Sequence, residues 1–347
     1  MKRIECSALR CIAIICIMIH NYAHKLPGAA QENEFAYHFE NDNNFRQLLF
    51  SSDFLIHIFS YWGHLGVPIF VFLSGYGLAL KYDNHIPIKW NNYLESHYRK
   101  LFFPLLFGTL AYIAVVYIID GNIHFSIARF FFQCTMLLNM IYPYEQNITP
   151  GPYWYFGMTM QLYLFYLFVI HRKSAKYLIG ITVISVVFMG LLIYDTHRIL
   201  IWTKYNVLGW MIPLALGVLA ARYPSCIHYF SVKTKAALAF FCLLPCLILC
   251  GQNYYLWLMT PVVVILMGIA FVKLIPSFVW ENVKVIGDIS LYILIVHPIV
   301  REVILPISIY WGSWGIIVYA SVSLTISLLV AKSVAFFKNK KSKIWKY

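Results

Sequence analysis

Apolar runs of roughly twenty residues recur from residue 6 to residue 336, and this repetition constrains the fold more than any motif. A helix rising about 1.5 Å per residue needs about 20 such residues to cross a hydrocarbon core of about 30 Å. Inside that core every backbone polar group must be satisfied within the protein, so an apolar run must cross as a helix or as part of a closed barrel. The runs fall at about 6–23, 54–80, 101–119, 153–171, 176–194, 205–222, 236–251, 257–275, 285–303 and 313–336. Only 12% of the residues are charged, against about 25% in a soluble domain. The expected fold is therefore all-α, a polytopic membrane helical bundle of about ten transmembrane helices, read as a single domain over 1–347. The first run follows Lys2 and Arg3 as a signal peptide would, but the bulky His20-Asn21-Tyr22 stands where a small-residue cleavage site is needed. It is retained as the first helix.

Lysine and arginine orient the bundle, because they are enriched in cytosolic loops. With both termini cytosolic, only Lys25, Arg46, Arg129, Arg198, Lys204 and Arg301 of the 27 basic residues fall outside. Segments 24–52 and 121–152 are then extracytoplasmic loops. The apolar stretch Phe125–Tyr142 lies on or dips into the membrane without crossing, and 337–347 is a basic cytosolic tail. This placement accounts for the net charge of +13, so no nucleic-acid partner is needed. About eleven residues follow the last run, so no fused extracytoplasmic esterase-like domain is expected.

Polar residues inside the runs mark where function is expected. Arg10 and His20 bracket the apolar start of the first helix, about 15 Å apart along its axis and roughly 80° apart in direction. They would line adjoining walls of one channel. The second run reads Trp62-Gly63-His64-Leu65-Gly66-Val67-Pro68 and then Leu73-Ser74-Gly75-Tyr76, which should kink and admit close neighbours. Arg99 and Lys100 stand at the cytosolic mouth of the third. Gln161 sits about two turns into the fourth, where it needs a hydrogen-bonding partner. Pro213 makes the sixth kinkable, and His297-Pro298 lies deep in the ninth. The cysteines lack the short spacing and nearby histidines of a zinc site, so no metal is expected. Asn147-Ile148-Thr149 fits a glycosylation triplet, a motif that alone carries little weight.

Taken together these pieces resemble the membrane acyltransferase-3 family, which O-acylates bacterial cell-surface carbohydrates. The resemblance is carried by Leu9-Arg10 to His20, Gly66-Val67-Pro68 to Ser74-Gly75-Tyr76, Tyr98-Arg99-Lys100 with Pro104, Tyr153-Trp154-Tyr155-Phe156 with Tyr163, and Ser290-Leu291-Tyr292 with His297-Pro298. Two departures stand out. Nine residues separate Arg10 from His20 where the family usually has ten, and Met158-Thr159-Met160-Gln161 lacks the acidic residue of many relatives.

The resemblance implies an O-acyltransferase of the bacterial inner membrane. It would move an acyl group, acetyl in the simplest case, from cytosolic acyl-CoA to a hydroxyl of a surface or lipid-linked carbohydrate. No permanently bound cofactor is implied; the partners are the lipid bilayer, acyl-CoA and the carbohydrate acceptor. His20, His297 and Arg10 are the catalytic candidates. Arg10, Arg99, Lys100 and Ser74 would hold acyl-CoA, and His64, Trp154, Gln161 and Tyr292 would meet the acceptor. Acidic residues of the 24–52 loop are further candidate sugar contacts. His20 would act as general base or carry the acyl group itself. The competing reading is an exporter of polysaccharide or lipid-linked sugar, which polar groups at mid-depth and kinked helices would also suit.

Overall fold

The computed structural model describes residues 1–83, 88–122, 126–141, 148–194 and 198–344. Among them the secondary structure is helical throughout, with no strand. In chain order the α-helices are α1 (Arg3–Ala23), α2 (Phe39–Leu48), α3 (Phe54–Trp62), α4 (Gly66–Tyr82), α5 (Trp90–Asp120), α6 (Ile127–Cys134), α7 (Trp154–Phe165) and α8 (Ala175–Leu191). They continue as α9 (Arg198–Tyr205), α10 (Met211–Arg222), α11 (Ser225–His228), α12 (Lys233–Cys250), α13 (Tyr254–Leu274), α14 (Ser277–Asp288), α15 (Ser290–Ser308) and α16 (Ser313–Ile344).

Among the described residues, eight helical stretches are long and apolar enough to cross a membrane. The bent pair α9–α10 would be a ninth, and α8 is a shorter apolar helix at the fifth run. The chain is thus a multi-pass membrane bundle, and each of the ten apolar runs coincides with one of these elements. Large side chains such as Ile118, Phe168 and Phe241 are exposed on its flanks, as a lipid-facing surface requires. Several boundaries differ from the sequence reading. The third helix starts at Trp90, eleven residues early, because Tyr93 is buried and its hydroxyl donates to Tyr163 O at 3.0 Å. The ninth run begins at Ser290, since the chain breaks at Ile289 after the separate helix α14. Asn147 of the triplet and the ends of Phe125–Tyr142 fall outside the described residues, as does the last part of the tail.

Helix α1 is the axis of the bundle and packs against α3, α4, α13, α14, α15 and α16. Its start is fixed by Glu5, which accepts from Lys2 N and pairs with Lys273 on α13 at 2.7 Å. Close approach to the second run depends on two glycines. Gly63 faces His20, so that a Cβ there would lie 2.5 Å from His20 Cβ, and a Cβ on Gly66 would collide with the Ala13 carbonyl. Gly66→Ala should therefore force α1 and α4 apart. Overpacking of this kind costs about 1–3 kcal/mol, and a lowered thermal midpoint in micelles would register it. An unchanged midpoint would show that the crossing has room to yield.

The bend between α9 and α10 is 71° and is centred at Asn206. Three amides hold it. Gln161 donates to Asn206 Oδ1 at 2.6 Å and accepts from Val207 N at 3.1 Å. Asn206 donates to the carbonyls of Asn139 and Trp202, while Asn139 donates to those of Trp154 and Tyr205. The broken ladder is thus satisfied by side chains, as burial demands. Pro213 causes no kink of its own. It lies in the first turn of α10, where a missing N–H leaves no bond unmade.

Candidate active site

One chamber of about 740 Å³ runs through the bundle beside α1. Arg10, Lys81 and Lys100 line one end, with Asp288 and Ser290 at the break before α15. His20, His24 and His64 line the middle, and Lys25, Glu32, Glu34 and Arg301 the other end. Trp154, Tyr155 and Tyr163 from the fourth run close one wall. Arg10 and His20 do line the same channel, as their spacing on α1 predicts.

His20 is 3% exposed. Its Nδ1 lies 2.9 Å from Ser60 O and 3.2 Å from Phe59 O, where the second run passes through a tight turn at Gly63–Leu65. Carbonyl oxygens only accept, so Nδ1 carries the hydrogen of the neutral ring. The lone pair then sits on Nε2, the nitrogen left available to the chamber. The His24 ring stacks on His20 with centroids 4.7 Å apart, and its Nδ1 donates to His20 O at 2.7 Å. His64 meets His20 edge-on at 5.5 Å. An imidazole held this way is oriented by its neighbours, with one nitrogen committed to structure and the other left without a backbone partner.

The remaining sequence candidates divide. Ser74, Trp154 and Tyr292 line the chamber with Arg10, Lys100, His20 and His64. Ser74 Oγ donates to Phe70 O at 2.9 Å, and Trp154 stacks with Trp210 at 5.7 Å. Arg99 is not among the lining residues; it is exposed and pairs with Glu95 one turn earlier at 2.8 Å. Gln161 belongs to the amide knot at Asn206. His297 is completely buried behind the wall; its Nδ1 donates to Ile293 O at 2.8 Å, and its carbonyl accepts from the Tyr319 hydroxyl.

Sequence reasoning missed His24, Lys81, His97 and Asp288. The signal for His24 was present, since it stands one turn beyond His20 on the same helix face. His97 stands one turn before Lys100–Leu101 and also lines the chamber, but the apolar run begins only at 101, so the sequence does not place His97 on this helix. Its ring packs between Tyr93 at 4.2 Å and Tyr163 at 4.4 Å, and Nδ1 donates to Tyr93 O. Of the acidic residues noted in the 24–52 loop, Glu32 and Glu34 reach the chamber. Burial, reinforced by the neighbouring Glu32, raises the Glu34 carboxyl well above the usual range, partly opposed by Lys204.

The fold and chamber define a multi-pass membrane bundle with a buried, oriented imidazole on the wall of an internal chamber. Its family is shown by comparison: residues 4–332 match the family model of the acyltransferase-3 acyltransferase domain, essentially the whole chain. The chain belongs to that family and is a membrane acyltransferase. No curated protein and no solved structure matches it.

Proposed function

We propose that the protein transfers an acyl group, acetyl in the simplest case, from acyl-CoA to a hydroxyl of a surface or lipid-linked carbohydrate at the bacterial inner membrane. The observation that carries this reading is the polarity of the chamber: cations at one end, His20 in the middle, carboxyl groups and aromatics at the other. The CoA phosphates would sit against Arg10 and Lys100 at the cytosolic end, with Ser74 and Tyr292 along the pantetheine path. The thioester then comes up beside His20. The acceptor enters from the opposite end, past Trp154 and His64.

In this mechanism Nε2 of His20 removes the proton of the attacking hydroxyl. The oxygen bonds to the acyl carbon, the C–S bond breaks, and its electron pair leaves on sulfur. The imidazolium returns its proton to that sulfur, which departs as the CoA thiol. Nδ1 stays bonded to Phe59 O and Ser60 O throughout, so the ring needs no reorientation between the two transfers. His297, packed behind the wall, would support α15 at this level.

The test is sidedness. Inverted inner-membrane vesicles carrying the protein are given labelled acetyl-CoA on the exposed cytosolic face. Alkali-labile label should appear in the lumenal glycan, dependent on the protein. Label confined to the face where acetyl-CoA was added would overturn transfer through the chamber.

A further inference from the structure

Residues 24–38 cross one end of the chamber as a strap hydrogen-bonded to the helices around it. Ser60 Oγ donates to Ala30 O at 2.5 Å, and Asn41 Nδ2 to Glu32 O at 3.0 Å. Trp257 Nε1 donates to Asn33 O at 2.7 Å, and the Tyr37 hydroxyl to Gly251 O at 3.1 Å. Three helices, α2, α3 and α13, therefore fix the backbone on both sides of residue 32. Such an arrangement presents the Glu32 side chain in one place.

That side chain lines the chamber, and its Oε2 is buried with no hydrogen-bond partner among the described residues. A buried carboxylate oxygen without a donor is costly, so its retention calls for a compensating role. Glu32 and His20 line the same chamber, so the carboxylate charge can act on the imidazole across its interior. Nδ1 of that ring is occupied by two carbonyls. Any proton the ring gains must arrive on Nε2, and the positive charge then forms inside a buried chamber, where an opposite charge is worth most.

We propose that Glu32 is a positioning residue for acyl transfer, its carboxylate offsetting the imidazolium that forms on His20 as the acceptor hydroxyl gives up its proton. This rests on the reading of His20 as the base. The bonds made and broken are those given above; Glu32 takes no proton and forms no covalent bond. It acts on the charge of the intermediate state. Acyl-CoA is held at the opposite end of the chamber, so donor affinity does not depend on Glu32.

The full-length protein in lipid vesicles, supplied with labelled acetyl-CoA and the glycan of those membranes, tests this through Glu32→Gln, Glu32→Asp and His20→Ala in parallel. Glu32→Gln keeps the shape and loses the charge. Turnover should fall about 10–100-fold, at or below the loss of a direct transition-state donor. The KM for acetyl-CoA should stay within about twofold, and the thermal midpoint should not move. Glu32→Asp, which restores the charge on a shorter arm, should recover part of the turnover. Full turnover in Glu32→Gln, with His20→Ala inactive, overturns the role of Glu32 alone. A raised acetyl-CoA KM at unchanged turnover does the same. Persisting turnover in His20→Ala overturns the reading on which the proposal stands.

Discussion

His20→Ala is expected to leave the protein folded and acyl-CoA binding nearly intact, while acyl transfer falls at least about 100-fold. A positioned general base contributes about 10²–10⁴-fold, and alanine removes the only group in this position that can take a proton. Neither neighbour can substitute. The His24 ring is stacked against His20 and tied through Nδ1 to the His20 carbonyl, and His64 meets the ring by its edge. Reaching the vacated Nε2 position would require either to abandon its own packing. The variant also frees the carbonyls of Phe59 and Ser60, so His20→Gln, whose amide can still donate to them, separates chemistry from folding. Both variants should be inactive, with the glutamine form the more stable. Transfer within a few-fold of the parent in either one would remove His20 from the mechanism.

Most of the scaffold was legible because hydropathy over twenty residues is a strong signal, and each of the ten apolar runs became a helical element. What escaped was the local detail that depends on contacts. Asn206 looks like any loop asparagine, yet it stands at the 71° bend between α9 and α10, where Gln161 and Asn139 supply the hydrogen bonds that a broken helix requires. Pro213, the residue whose chemistry suggests a kink, sits where proline is harmless. In the site, Arg10 and His20 were readable from one helix, where spacing alone gives direction. Glu32 was one acid among several in a loop. Only the anchoring of Ala30 and Asn33 to distant helices distinguishes it from Glu40 or Asp53.

The same dependence on helical register decides which cations line the chamber. Arg99 and Lys100 are adjacent in sequence, and as a pair they suggest a phosphate site. On α5, however, neighbours differ by about 100° in direction. His97, Lys100 and Leu101 share the face that lines the chamber, whereas Arg99 is turned onto the exposed side with Glu95. Arg10→Gln and Lys100→Gln should therefore each weaken acetyl-CoA binding by about 1.5–3 kcal/mol, the value of a hydrogen bond to a charged group. That is about 10–150-fold in Kd at 1.4 kcal/mol per tenfold. Arg99→Gln should change it less than about threefold, since an exposed helical ion pair contributes only about 0.3–0.5 kcal/mol. The three variants have the same change in net charge, so a diffuse electrostatic attraction would weaken binding equally in all of them, and more so at low salt. Isothermal titration of the purified protein with acetyl-CoA at two ionic strengths distinguishes these cases. Equal losses in all three would mean that the chain attracts the donor by its basic surface, and that Arg10 and Lys100 form no site for its phosphates.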